Sequence, residues 1–307
     1  MNFEVFSIGT SGMMPLPHRF LTSALVRRNG SLFLFDCGEC TQVSLKMLNL
    51  RWKSLDSIFI SHMHADHVTG LPGLLMLSSQ VDRDKPLYIY GPQRLEEYIV
   101  QNRRILDMYI NYPIIFVPVE IGTIFENDEY KINCFPLDHT KECYGYSFVE
   151  KPRAGEFSVE KMAATGIPKG PLWGRVQKGE SVEAPDGTII TPAMIMGDQR
   201  DGRKFSYVTD TAYFPEIADY VADSDLLFCE AMFSADLVQD AKEKKHLTSA
   251  QAATIAKDAN VGKLCLQHYS PRYTDREIKT LADEARAIFP NTIQTKDRMC
   301  FELELKN

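Results

Sequence analysis

Residues 61–67 read Ser61-His62-Met63-His64-Ala65-Asp66-His67. They follow directly on Ser57–Ile60, a short apolar run that reads as a buried strand. In an extended segment, residues two apart point to the same side, so His62 and His64 can grip one metal ion together. The chain then turns, and the neighbours Asp66 and His67 can serve a second ion. Imidazole and carboxylate suit zinc, with bonds of about 2.0–2.2 Å. A lone His favours a solvated surface group; three His and one Asp within seven residues favour metal.

Further candidates fall at the ends of other predicted strands. His139 follows Lys131–Phe135, Asp210 ends Phe205–Val208, Glu230 caps Leu226–Cys229 and His268 follows Lys263–Leu266. Taken singly they read as loop histidines, a turn Asp and a helix cap. Their shared position favours ligands, because open α/β sheets build sites beyond the carboxyl ends of strands. His246 stands at a predicted helix start, in Lys245-His246-Leu247-Thr248. His18 alone of the seven histidines is left over, and it reads as surface polar.

The rest of the chain supplies the frame. Further strands are expected at Glu4–Ile8, Ser31–Phe35, Leu87–Tyr90, Ile114–Val117, Tyr144–Phe148 and Met299–Leu303. Helices are expected at Thr41–Leu48, Leu71–Ser79, Arg94–Leu106, Ser249–Ala259 and Arg276–Ala287. Thr248 with Gln251, and Thr274 with Glu277, match capping boxes. This mixture predicts an α/β layered protein, read as one catalytic domain over residues 1–307. Residues 151–204 break the pattern. They hold eight Gly and five Pro, with no apolar period and hence no expected core of their own. Nine basic side chains there face seven acidic ones, whereas the remainder has 25 basic and 34 acidic. The segment reads either as a functional insertion or as a surface loop with no role.

Composition sets outer limits. The 307 residues carry a formal charge of −7, which excludes a basic coat over the whole surface but not a local basic patch. No run of 18 apolar residues predicts a membrane span, and the first residues do not resemble a secretory signal. Seven cysteines, an odd number, point to free thiols in a reducing cytoplasm. Cys37-x-x-Cys40 reads as free thiols more readily than as a redox or zinc pair, since no second Cys pair lies near it. No organic cofactor is expected.

The His62–His67 block resembles that of the metallo-β-lactamase superfamily. The wider set resembles the ribonuclease Z family of tRNA 3′-processing endonucleases. It includes Gly9-Thr10-Ser11-Gly12, Leu34-Phe35-Asp36-Cys37-Gly38-Glu39, Gly70-Leu71-Pro72-Gly73-Leu74, Gly170-Pro171-Leu172, Tyr207-Val208-Thr209-Asp210-Thr211, His246-Leu247-Thr248-Ser249-Ala250 and His268-Tyr269-Ser270-Pro271-Arg272-Tyr273. Ser61 and Gln267 stand where the family often has Thr, Cys40 where it usually has Gly, and Pro271 is unusual inside its motif. The resemblance implies an αββα four-layer sandwich, two Zn2+ per chain with Mn2+ as an alternative, and a homodimer. It places His62, His64 and His139 on one ion, Asp66, His67 and His268 on the other, and Asp210 between them. Asp66 is also the candidate general base, and His246 with Glu230 the candidate general acid or a support for the ligands.

The implied substrate is precursor tRNA, cut to leave a 3′-hydroxyl on the tRNA and a 5′-phosphate on the trailer. The insertion is then expected to carry a tRNA-binding arm over residues 155–179, contacting RNA through Lys161, Lys169, Gly170, Pro171, Arg175 and Lys178. Arg272 joins the substrate-binding candidates. Arg19 reads equally as an RNA contact or as a solvated surface charge. The rival readings are a phosphodiesterase of the same fold acting on small substrates, and a silent RNA-binding protein.

Overall fold

The structure is a computed structural model and describes residues 2–81 and 83–306. Two compact units emerge: Met1–Val149 with Arg203–Glu304, and Glu150–Gly202 with Leu305–Asn307.

The larger unit is built on two seven-stranded sheets. The first runs, edge to edge, Cys300–Glu302, Phe3–Gly9, Ser23–Arg28, Ser31–Phe35, Leu55–Phe59, Leu87–Gly91 and Ile114–Pro118. The second runs Thr292–Gln294, Leu264–Gln267, Leu226–Glu230, Lys204–Val208, Glu142–Glu150, Tyr130–Asp138 and Gly122–Glu126. Each sheet is half antiparallel and half parallel. Side chains alternate between faces. Phe33 and Phe35 point into an aromatic layer shared with Phe59, Tyr146, Phe148, Phe205 and Tyr207. Leu32 and Leu34 point outward against the helices Thr41–Met47, Leu71–Ser79 and Arg94–Ile105. On the other sheet, Val208, Leu227 and Leu266 face the helices Ile217–Val221, Ser249–Asp258 and Asp275–Ile288. Both faces of the central strands are therefore buried, which is why their sequences are continuous apolar runs. Each fully buried Phe contributes roughly 1.5–3 kcal/mol to this sandwich. Both capping boxes are formed.

The layered αββα arrangement and nearly all the expected elements are present. The strand Ser23–Arg28 went unread because it ends in two arginines. Arg27 there is held by a two-pronged bond to Glu4, and Arg28 pairs with Glu129. Among the described residues, no helix is long and apolar enough to cross a membrane.

The second unit corrects one expectation. Residues 151–204 do carry a core, formed by Met162, Ile167, Val176, Val182, Ile190 and Ile195, with Trp173 against it. Its helices Val159–Ala164, Pro171–Gln177 and Pro192–Ile195 and its hairpin Val182–Glu183/Ile189–Ile190 are two to seven residues long. Each supplies only one or two core residues, so no period can build up in the sequence.

Candidate metal centre and active site

The parallel strands deliver the site. His62 lies three residues beyond Leu55–Phe59, Asp210 two beyond Lys204–Val208, and His268 directly after Leu264–Gln267. His139 follows Tyr130–Asp138. His64 is still extended and precedes the single helical turn Ala65–Val68, which presents Asp66 and His67. The change from extended chain to helix splits the block into two pairs.

The donor atoms gather in two sets. In the first, His64 Nδ1 lies 3.0 Å from His62 Nε2 and 3.1 Å from His139 Nε2. Asp210 Oδ2 is 3.7 Å from both His62 Nε2 and His139 Nε2. In the second, His67 Nε2 and His268 Nε2 are 3.2 Å apart. Asp66 Oδ2 is 3.7 and 3.4 Å from these nitrogens, and Asp210 Oδ1 is 3.3 and 3.2 Å from them. Asp210 thus turns one oxygen to each set. A tetrahedron with arms of ~2.0–2.1 Å has edges of ~3.3–3.4 Å, so both sets have the span of a four-donor metal site. Burial disfavours the charged forms of His62, His64 and His139 and lowers their pKa values, leaving lone pairs free to bind metal. Burial also disfavours the carboxylate of Asp66, but His67 and His268 outweigh it and hold Asp66 ionised. The donors are nitrogen and oxygen only, and they fit zinc or manganese.

A surrounding layer of hydrogen bonds aims these ligands. His139 Nδ1 donates to the Lys245 carbonyl at 2.9 Å, which leaves Nε2 for the site. Asp36 holds His67 in the same way, with Oδ2 2.7 Å from Nδ1. The same carboxylate accepts from the Ser61 amide, the Ser61 hydroxyl and Tyr207. Asp36 has no role legible in its motif, although it follows the strand Ser31–Phe35 as Asp210 follows Lys204–Val208. His268 adopts φ 55°, and Asp36 adopts φ 56°. Such left-handed backbone costs a non-glycine residue roughly 1–2 kcal/mol, strain of the kind that gathers at functional sites. Gly12 packs flat against the His268 ring; a Cβ there would lie 2.6 Å from Cε1.

Beside the donors opens a cavity of about 500 Å³. Met13, Thr140, Met232, Phe233, Lys244 and Arg272 form much of its wall. The cations of Arg272 and Lys244 sit 5.0 and 5.6 Å from the centre of the Phe233 ring. His246 also faces this space, with Nδ1 held 3.0 Å from Glu230 Oε2. Burial disfavours its imidazolium, but Glu230 outweighs burial and raises the pKa to about 9.

Of the other candidates, Arg19 is neither at the cavity nor on the surface: it is 8% exposed and donates to the Tyr273 carbonyl. Lys161, Lys169, Gly170, Pro171, Arg175 and Lys178 all belong to the second unit. There, Arg175 pairs with Glu180 at 2.7 Å.

Comparison with known proteins places this geometry. A family profile described as a beta-lactamase superfamily domain matches residues 174–269, and one described as anti-Pycsar protein Apyc1 matches residues 3–153. The fold aligns with the crystal structure of human tRNase Z, short form, at a TM-score of 0.69 and 24% identity, covering 97% of this chain and 98% of that one. Two sheets between helix layers, with a His/Asp cluster at the strand ends, define a metallo-β-lactamase-fold protein. Ribonuclease Z of Treponema denticola is 57% identical over the full length of both chains. Ribonuclease Z of Borrelia hermsii is 41% identical over 97% of this chain and 96% of its own. The chain belongs to the ribonuclease Z family of endoribonucleases.

Proposed function

We propose that the protein is a zinc-dependent endoribonuclease that removes the 3′ trailer from precursor tRNA. The observation that carries this reading is the pair of four-donor sets sharing Asp210, in a chain so close to ribonuclease Z along its whole length. His62, His64 and His139 would hold one ion, Asp66, His67 and His268 the other, with Asp210 spanning both. When bound, such a pair of ions activates water near neutral pH and offsets charge on the phosphate.

The chain's own groups do the rest. Asp66 takes the proton of the attacking water; reach qualifies it, since its neighbours keep it a weak base. His246 protonates the departing 3′-oxygen from its free nitrogen, while Glu230 fixes the other. The products are a 3′-hydroxyl on the tRNA and a 5′-phosphate on the trailer. Arg272 and Lys244, exposed at the cavity, are suited to the neighbouring phosphates. Lys161, Lys169 and Lys178 are exposed in the second unit and support its role as a tRNA-binding arm. A homodimer is supported by exposed apolar side chains on two helices that approach at Gln42 and Gly73: Val43 and Met47 on one, Met76 on the other. Seven free cysteines support a cytoplasmic setting.

The test is cleavage of two precursor tRNAs bearing 3′ trailers, one with encoded CCA and one without, beside bis(p-nitrophenyl) phosphate. Metal-dependent release of an intact trailer with a 5′-phosphate is the expected result. Turnover of the small ester with no cut in either precursor would replace this reading with a small-substrate phosphodiesterase.

A further inference from the structure

The segment Gly9–Leu21 leaves the first sheet and passes over the second donor set. Three of its residues touch that set or its support. The Met13 amide donates to Asp66 Oδ2 at 2.7 Å. Gly12 packs on the His268 ring, and its amide donates to the Tyr269 carbonyl at 3.0 Å. The Tyr269 amide donates in turn to the Thr10 carbonyl at 2.9 Å. This short loop is therefore wedged between two of the second ion's ligands.

Its far end is tied down by Arg19. Leu16 and Arg19 close a tight hairpin through paired backbone bonds of 2.8 and 3.1 Å. The guanidinium then turns inward and donates from Nη2 to the Tyr273 carbonyl at 3.0 Å. Tyr273 lies five residues beyond the ligand His268, so this bond joins the loop to the segment that carries the ligand. Next to it, Asp297 accepts from the Phe20 amide and the Thr10 hydroxyl. Among the described residues, Arg19 Nε and Nη1 have no hydrogen-bond partner. Arg19 borders a cavity of about 60 Å³ that Asp275, Thr295 and Asp297 also line. That is room for about two waters, which can link the fork to the carboxylates. An arginine is expensive to bury, and its planar fork earns that burial only where several groups are held at fixed angles.

We propose that Arg19 is a positioning residue for the second metal set. It clamps the Gly12–Met13 turn so that the Met13 amide stays on Asp66 and Gly12 stays against His268. It does not meet RNA, because its charged end is inside the protein. This rests on the metal-centre reading above, and the experiment separates the two.

Arg19→Met keeps the stem and removes the fork. Arg19→Lys keeps the charge and one donor, and is measured beside it so that the outcome does not depend on the Met variant folding. Each is titrated with zinc against a chelator, with Asp66→Ala identifying the step that belongs to the second set. Bis(p-nitrophenyl) phosphate gives kcat, and precursor tRNA gives KM. The second step is expected to weaken ~10–100-fold, as for other groups that orient ligands, with a smaller loss in the Lys variant. The first step should move less than about threefold, kcat should fall with the second step, and KM for RNA should hold. Equal weakening of both steps would overturn the proposal, since that reports a general loosening. A raised KM for RNA with unaltered metal binding and kcat would also overturn it and make Arg19 an RNA contact. Failure of the parent to bind two ions would count against the metal-centre reading and not against the clamp.

Discussion

Asp36→Asn tests the support of the metal centre with almost no change of shape. The carboxylate receives four donors: the Ser61 amide on Oδ1 at 2.7 Å, and the Ser61 hydroxyl, Tyr207 hydroxyl and His67 Nδ1 on Oδ2 at 2.9, 2.8 and 2.7 Å. An amide cannot satisfy all four. With its NH2 group on the Oδ2 side, it meets three donors, and His67 must give up its Nδ1 proton and carry it on the metal-facing Nε2. With its NH2 group on the Oδ1 side, it keeps those three bonds but faces the Ser61 N–H. The second orientation is cheaper, and it still strands the buried Ser61 N–H, at about 1–3 kcal/mol, and leaves the new NH2 group facing a donor. It also replaces a charged acceptor of the His67 proton with a neutral one. His67 becomes a poorer ligand, and the expected loss is ~10–100-fold in metal affinity, about 1.4–2.7 kcal/mol. The loss should fall mainly on the second ion, because His62 feels Asp36 only through the Ser61 hydroxyl, 3.0 Å from its Nδ1. Chelator competition on the folded variant measures this, with a thermal melt of the metal-free protein as control. Two ions bound within threefold of the parent would refute the orienting role of Asp36.

Asp66→Ala should remove hydrolysis of RNA and small diester alike, by more than the ~10²–10⁴-fold of acid–base catalysis alone, because a ligand goes with the base; steady-state rates within tenfold of the parent would exclude that role. His246→Ala should hurt RNA far more than a nitrophenyl ester, whose leaving group needs little protonation; equal losses on both would make His246 a support for the ligands. Its pKa of about 9 puts the acid in its protonated form below that pH, so RNA cleavage limited by His246 should decline as pH rises through it, and a rate that kept rising there would argue against the assignment. Replacing residues 155–179 by a Gly/Ser linker should raise KM for precursor tRNA while the small ester is still cleaved; an unchanged KM would leave the arm without a role. Cys40→Gly should stabilise the protein by about 0.5–1 kcal/mol, since Cys40 adopts φ 72° at the start of the helix Thr41–Met47; a lower melting temperature would mean that the Cys40 side chain contributes more than its backbone strain costs.

The sandwich was legible because its central strands are buried on both faces and so read as unbroken apolar runs such as Ser31–Phe35. The helices Ser249–Asp258 and Asp275–Ile288 were legible from their caps, whose bonds are local in sequence. The strand Ser23–Arg28 was not, because its two arginines are neutralised by Glu4 and Glu129, and Glu129 is about a hundred residues away. The core of residues 150–202 was hidden for a related reason. It is assembled from elements too short to show a period, and only their meeting in space makes Met162, Val176 and Ile190 a core.

The site divides along the same line. Histidines and aspartates in a dense block announce metal by their type, so His62, His64, Asp66 and His67 could be nominated from spacing alone. Asp36 and Arg19 do their work through what they touch. An Asp at the end of a strand can be a turn, a ligand or a brace. Here the difference lies in four donors that arrive from residues 61, 67 and 207. An Arg in a Pro-bordered loop can face solvent or RNA. Here it is spent on the Tyr273 carbonyl, 254 residues away in sequence. Both act on the second donor set, Asp36 through His67 and Arg19 through the loop wedged between Asp66 and His268. The first set is held differently: His139 leans on a main-chain carbonyl and His62 on Ser61. The acceptor on His139 is main chain, so replacing the Lys245 side chain should leave the aim of His139 intact, whereas replacing Asp36 removes the acceptor that aims His67.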